Sequence, residues 1–258
     1  MNILITGASD GIGLEVAKLL AARNHEITLV SRNKDKLEKA VSLLHGKGHK
    51  LIVADLSSNE EVDNLKSVIE SNRYDVFINN AGVGMYGRFT EMSLATQVNM
   101  MNLNISAVTA LSYFYLHQAR KGDALVNVAS TLGTTSYAGA AVYAASKAYV
   151  INLSEALWWE YKAKGVYVFG FCPGPTFTEF HNIAGGDKNS FPKFIMQSAQ
   201  QVAQELVNAL EKRKKPKVVS GATNRFMISF QKLLSRKMVV SMMAGFGPLK
   251  GEEKRSIS

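Results

Sequence analysis

One cysteine, Cys172, in a chain of 258 residues excludes an internal disulfide. It sits in the apolar run VYVFGFC (166–172), where a thiol behaves as a small hydrophobe. No histidine stands nearby in sequence to activate it as a nucleophile. A reducing, cytoplasmic setting fits this usage. Long apolar runs are missing too. No window approaches the roughly 18 uninterrupted apolar residues needed to span a bilayer. No basic-then-apolar leader precedes the first strand-like segment, so a soluble, unprocessed chain is expected. Repeats, low-complexity blocks and Pro/Ser-rich linkers are likewise absent. What remains, 47% apolar and 20% charged residues, suffices for one core near the upper size of a single domain.

Acidic residues are scarce in one place. Residues 1–210 balance 18 Lys/Arg against 18 Asp/Glu, whereas residues 211–258 hold 12 against 3 and carry the whole net charge of +9. The basicity therefore belongs to a tail. No base-reading motif or aromatic stacking platform accompanies it, so nucleic acid is not an expected partner. Within NRFMISFQKLLSRKMVVSMMAGFG (224–247), Phe226, Phe230, Leu233 and Leu234 recur at helical spacing beside Arg225, Lys232, Arg236 and Lys237. Such a segment suits peripheral contact with an anionic membrane surface. It equally suits packing over the domain or an adjacent subunit. We expect a single domain over 1–222, including a substrate loop at 173–198, followed by a basic amphipathic extension over 223–258.

Seven strand-length apolar runs alternate with segments of helical periodicity. The strands are expected at 2–6, 26–30, 50–54, 75–79, 124–129, 166–171 and 217–221. Helices are expected at 13–23, 35–44, 60–71, 93–118, 142–164 and 199–215. This alternation predicts an α/β fold: a Rossmann-type doubly wound, seven-stranded parallel sheet with helices on both faces. The long stretch 173–194 reads as irregular and lies beyond a strand's carboxyl end, where function-bearing loops collect.

The first strand runs into TGASDGIG (6–13). Gly7, Gly11 and Gly13 permit a tight turn and bare-backbone approach to a pyrophosphate. With Ser9, Asp10 and Ile12 they open a helix whose free N–H groups favour anions. A dinucleotide cofactor is expected there. At the end of the second strand no acid stands to accept ribose hydroxyls. Ser31 and Arg32 occupy the place instead, and a guanidinium clamps a 2′-phosphate with two parallel bonds, so NADP (NADPH) is expected over NAD. A solvated helix-entry charge is the plain alternative for Arg32. Asp55 suits an adenine amino group with Leu56 packed on the ring. In NNAG (79–82), Asn80, Ala81 and Gly82 allow the nicotinamide ribose to approach, while Asn79 ties neighbouring strands.

Ser130 follows the fifth strand, and Tyr143 and Lys147 stand one helical turn apart. A phenol of pKa about 10 is a poor proton carrier at neutral pH, but a nearby ammonium lowers that barrier. Tyr143 then serves as general acid/base, Lys147 depresses its pKa and holds the ribose hydroxyls, and Ser130 binds the substrate oxygen as charge builds.

The order and spacing of TGASDGIG, NNAG, Ser130, Tyr143, Lys147 and PGPTFT (173–178) resemble the short-chain dehydrogenase/reductase family over about residues 2–225. That resemblance implies an NADP-dependent oxidoreductase moving a hydride between nicotinamide and a carbonyl or secondary alcohol. It also implies an asparagine that holds a proton-relay water, for which Asn104 in LNISAVTALS (103–112) is the choice and Asn99 the fallback. Pro173 and Gly174 would shape the turn over the nicotinamide and Thr178 would bond its carboxamide, with Thr176 the weaker candidate. No metal is implied, and homodimers or homotetramers are expected. Phe177, Phe180, Phe191, Phe194, Ile195, Met196, Met85, Tyr86 and Phe89 would make an apolar pocket, preferring a lipophilic small-molecule substrate. A non-catalytic NADP sensor or a membrane-surface protein of the same fold is the alternative.

Overall fold

The computed structural model describes residues 1–178, 180, 184 and 193–245. Phe191 and the residues after 245 lie outside the described residues.

In chain order the elements begin β1 (Asn2–Thr6), α1 (Gly11–Ala21), β2 (Glu26–Ser31), α2 (Lys34–Ser42), β3 (Lys50–Val53), α3 (Asn59–Ser71) and β4 (Val76–Asn79). Next come α4 (Leu94–Met101), a π-helical segment (Asn102–Ala107), α5 (Val108–Gln118), β5 (Ala124–Val128), a 3₁₀ turn (Thr131–Thr134), α6 (Ala141–Lys162) and β6 (Tyr167–Cys172). The chain continues with β7 (Thr176–Phe177), a 3₁₀ turn (Lys193–Ile195), β8 (Gln197–Ser198), α7 (Ala199–Lys212), β9 (Lys217–Val219), α8 (Ala222–Gln231) and α9 (Arg236–Gly245).

All seven expected strands join one sheet in the order β3-β2-β1-β4-β5-β6-β9, every pairing parallel. The strand order reverses between β1 and β4, and ligands bind in the crevice at such a switch point. Alternation along each strand divides the core. Ile3, Ile5, Val126 and Phe169 pack on the side of α1 and α7, while Leu4, Phe77, Leu125 and Val168 pack on the side of α3 and α5. These side chains are fully buried, so truncating one to alanine costs about 2–5 kcal/mol.

Two segments depart from expectation. The helix expected over 93–118 is broken by the π segment, a bulge that turns Asn104 inward. The stretch read as irregular over 173–194 starts with β7, which pairs in parallel with β8, so the two ends of the loop are joined. Short pairings of this kind carry no periodic signal in sequence. Helix α7 ends at Lys212 rather than 215 because Arg213 takes a left-handed conformation, φ 48°.

Candidate active site

The carboxyl ends of β1, β4, β5 and β6 surround a cavity of about 250 Å³. Its floor is the glycine turn. Gly7 adopts φ +63° and a Cβ there would stand 2.8 Å from Ala81 Cα. At Gly13 a Cβ would meet the Gly7 carbonyl oxygen at 2.4 Å, so this glycine serves close packing of α1 on its own turn. Asp10 caps α1 by accepting from the Gly11 N–H at 2.7 Å, and Lys36 approaches its other oxygen at 3.6 Å. Gly11 and Ile12 line the cavity beside it.

Asn80 and Ala81 hold that turn in place. Their N–H groups both donate to Thr6 Oγ1 at 3.0 Å, and Asn80 Nδ2 donates to the carbonyls of Thr6 and Gly7, each at 3.0 Å. Asn80 thus lines the cavity while its amide is committed to backbone. Buried Asn79 donates to Asn127 Oδ1 at 3.2 Å and to Ser112 Oγ at 3.3 Å, and Asn127 reaches Ser154 Oγ at 3.1 Å. This tie between β4, β5, α5 and α6 includes Ser112, Asn127 and Ser154, which have no motif to mark them in sequence.

Ser130 caps the 3₁₀ turn after β5, its Oγ accepting from Leu132 N at 3.2 Å, and with Tyr143 it lines the cavity. Thr131 N donates to the Pro173 carbonyl at 2.9 Å, which ties this turn to the PGP segment after β6. Lys147 is 3% exposed, donates to the Val128 carbonyl at 3.0 Å and lies 5.9 Å from the centroid of the Tyr143 ring. Burial acts on both partners. It pushes Tyr143 up to about 12, the Ser130 hydroxyl opposing it, and lowers Lys147 to about 8. The depression of Tyr143 expected from Lys147 is therefore not what this site produces. Burial strips hydration from the charged form of each group, which raises the phenol and lowers the ammonium.

Asn104 is fully buried in the π segment, with Oδ1 accepting from Val83 N at 3.0 Å and Nδ2 donating to Val83 O at 2.9 Å and Ser146 Oγ at 3.2 Å. A Cβ at Gly82 would lie 3.0 Å from Lys147 Nζ and 3.1 Å from Asn104 Oδ1, so a larger residue would have to push these side chains aside. Asn99 is exposed on α4.

Around the rim, Pro173, Gly174, Thr176 and Thr178 line the cavity; Thr176 Oγ1 donates to Gly174 O at 2.9 Å and Thr178 Oγ1 accepts from Phe180 N at 3.3 Å. Of the expected apolar lining, Tyr86 and Phe180 are present, Phe180 with its ring 5.7 Å from that of Tyr143. Phe89 on the loop after β4, Phe177 at the end of β7 and Phe194 on the following 3₁₀ turn are exposed instead and do not line this cavity. Thr131, Leu132 and Pro175 line the cavity without having been singled out in sequence.

Outside the cavity, at the ends of β2 and β3, Ser9 and Ser31 share a hydrogen bond of 2.9 Å, and Arg32 is exposed. Asp55 accepts from Ser57 N at 3.0 Å and Ser57 Oγ at 2.7 Å; these bonds hold its carboxyl below the usual range, with a smaller contribution from Arg32. Leu56 corrects an expectation: it is buried in the α3-side core with Val62 and Leu65, its apolar surface turned inward rather than to a ring outside. Among the described residues no cluster of three or more His, Cys, Asp or Glu is placed to hold a metal, and no helix is long and apolar enough to cross a membrane.

Residues 1–188 match the family model of the short chain dehydrogenases, and the chain belongs to that family. It is 32% identical to a very-long-chain 3-oxoacyl-CoA reductase from Anas platyrhynchos, over 74% of this chain and 63% of that one. It is 33% identical to the inactive hydroxysteroid dehydrogenase-like protein 1 of Homo sapiens, over 66% of this chain and 54% of the other. Among solved structures, a short-chain dehydrogenase from Sphingobium yanoikuyae in complex with NADPH superposes with a TM-score of 0.78, at 26% identity, covering 90% of this chain and 93% of that one.

Proposed function

We propose that the protein is an NADP(H)-dependent oxidoreductase acting on a carbonyl or secondary alcohol of a lipophilic small molecule. The observation that carries this reading is that Ser130, Tyr143 and buried Lys147 line the same cavity as the glycine turn. Bound NADPH would supply the hydride. Gly7, Gly11 and the N-terminus of α1 would hold its pyrophosphate, with Ser9, Ser31 and Arg32 taking the 2′-phosphate and Asp55 meeting the adenine. The bare backbone at Gly7, where a Cβ would collide with Ala81, fits a group that must approach closely.

Tyr143, kept protonated by burial, donates its phenolic proton to the substrate oxygen as charge develops there. Ser130 donates a hydrogen bond to the same oxygen and orients it. Lys147 holds the ribose hydroxyls, and Asn104, anchored to Val83, positions the water that resupplies the proton. Tyr86 and Phe180 make the lining apolar and favour a lipophilic substrate over a sugar. The duck reductase supports an acyl-type carbonyl. The inactive human relative raises the non-catalytic alternative, against which this chain retains Ser130, Tyr143 and Lys147.

NADPH oxidation with a panel of apolar ketones tests the reading. Tyr143→Phe lowers kcat by about 10²-fold or more while NADPH still binds. An unchanged rate sinks the assigned acid, and no turnover on any carbonyl revives the sensor.

Exposed Leu94, Val98 and Met101 on α4 and Trp159 on α6 support a homodimer or homotetramer. Helix α8 packs on the 3₁₀ turn 131–134, yet Phe226 on α8 and Leu233 in the turn after it are 71% and 81% exposed, with Lys232 and Lys237 close by in the chain, which supports peripheral contact with anionic lipid. Flotation with anionic vesicles at low salt is the check: protein that stays in the soluble fraction removes that contact. The cellular setting proposed is the cytoplasm, with this membrane contact peripheral.

A further inference from the structure

A second cavity, of about 140 Å³, lies beside the first. Thr131, Leu132 and Pro175 line both, so a single layer of side chains separates them. Its far walls come from the tail: Met227 and Ile228 on the inward face of α8, and Met243 on α9. Three of the polar groups around it are already hydrogen-bonded within the protein. Asn224 Nδ2 donates to Ser220 O at 3.0 Å, Thr134 Oγ1 donates to Thr131 O at 2.7 Å, and Gln231 Nε2 meets Met243 Sδ at 3.5 Å. A chamber so lined offers dispersion contacts and few free hydrogen bonds.

We infer that this chamber is a binding site for the apolar extension of the substrate, an alkyl or single-ring group of about six carbons attached to the reacting carbonyl. The inference rests on the oxidoreductase reading for the position of that carbonyl. The size follows from volume: an apolar protein cavity of roughly 150 Å³ holds one benzene molecule. Placement follows from the shared wall. With the carbonyl oxygen against Ser130 and Tyr143, a chain that continues over Leu132 and Pro175 enters the chamber and leaves water. Methionines suit the role because their unbranched, polarisable side chains adapt to varied apolar shapes. The basic tail thereby acquires a second, inward-facing role, in which α8 and α9 close the substrate site and select for apolar length.

Two measurements on the full-length protein test this. The first compares kcat/KM for butan-2-one and octan-2-one, which differ by four methylenes. Burial of each methylene is worth up to about fourfold, so octan-2-one is expected to be favoured by at least about tenfold. Ile228→Trp or Met227→Phe, which fill the chamber, reduce that ratio to about threefold or less. A ratio near one in the parent, or one that both variants leave intact, overturns the proposal. The second needs no turnover. Protein with ¹³C-labelled methionine methyl groups and bound NADP⁺ is titrated with each ketone, Met227→Leu and Met243→Leu identifying the two signals. Octan-2-one is expected to shift both and butan-2-one neither. Absence of the shifts refutes the chamber whatever the rates, whereas shifts without turnover on any ketone support the chamber and refute the oxidoreductase reading.

Discussion

The Asn104 carboxamide closes a ring of two hydrogen bonds with the backbone of Val83, accepting from its N–H at 3.0 Å and donating to its carbonyl at 2.9 Å. The segment that continues from NNAG is thereby joined to the π segment, and the position of Gly82 above Lys147 depends on that join. Asn104→Ala leaves both Val83 groups without partners, each worth about 1–3 kcal/mol when buried. A destabilisation of about 2–4 kcal/mol is expected in urea unfolding, together with a loss of ketone reduction. Unchanged stability would mean that the Val83 groups find water.

Cofactor choice is expected to turn on Arg32. Losing a charge-assisted, two-bond contact to phosphate costs about 1.5–3 kcal/mol. Arg32→Glu, which adds repulsion, should raise the KM for NADPH at least about tenfold and leave the KM for NADH unchanged or lower. Equal effects on the two cofactors would show that Arg32 is only a solvated surface charge.

Lys147 makes stability depend on alkaline pH with a defined sign. Its pKa is about 8 in the folded protein and 10.5 for an unperturbed lysine, so between these values the unfolded chain binds the extra proton. Stability contributed by this residue therefore rises with pH across that window, and the cost of burying the ammonium is fully present below pH 8. Lys147→Met should be more stable than the parent at pH 7, with the advantage shrinking toward pH 10.5. Urea midpoints at the two pH values decide it, and a pH-independent difference would contradict the assignment. The rate of ketone reduction should also fall above about pH 8, as the ammonium is lost.

Gly174 and Asn224 couple the turn after β6 to the tail. A Cβ at Gly174 would stand 2.2 Å from Asn224 Nδ2, and Asn224 is a buried residue of α8. Gly174→Ala should destabilise by about 1–3 kcal/mol through overpacking. Adding Asn224→Gly opens the space, so the double variant should lose at least about 1 kcal/mol less than the two single losses together. Simple additivity in the cycle would show that the helix shifts freely away.

Much of this architecture is legible along the chain because it rests on local regularities. The seven apolar runs and the helices between them follow from side-chain period, and TGASDGIG announces its turn because glycine adopts the positive φ seen at Gly7 and Gly11 without steric cost. Tyr143 and Lys147 share a helix face by spacing alone. Beyond that, sequence reasoning reached Asn104 only by resemblance, since the π bulge that turns it inward has no periodic trace. Ser112, Asn127 and Ser154 carry no pattern, and Leu56 beside Asp55 gave no sign of facing the core.

What the sequence by itself determined is the order of strands and helices, the glycine turn, the shared helix face of Tyr143 and Lys147 and the location of the excess charge, all set by neighbours a few residues apart. Tertiary structure alone decided the direction of the Tyr143 pKa, because desolvation depends on everything that closes over a group rather than on the lysine one turn away. It alone brought Met227, Ile228 and Met243 against Leu132, nearly a hundred residues or more apart in the chain, since cavities are made by packing and packing has no period to read.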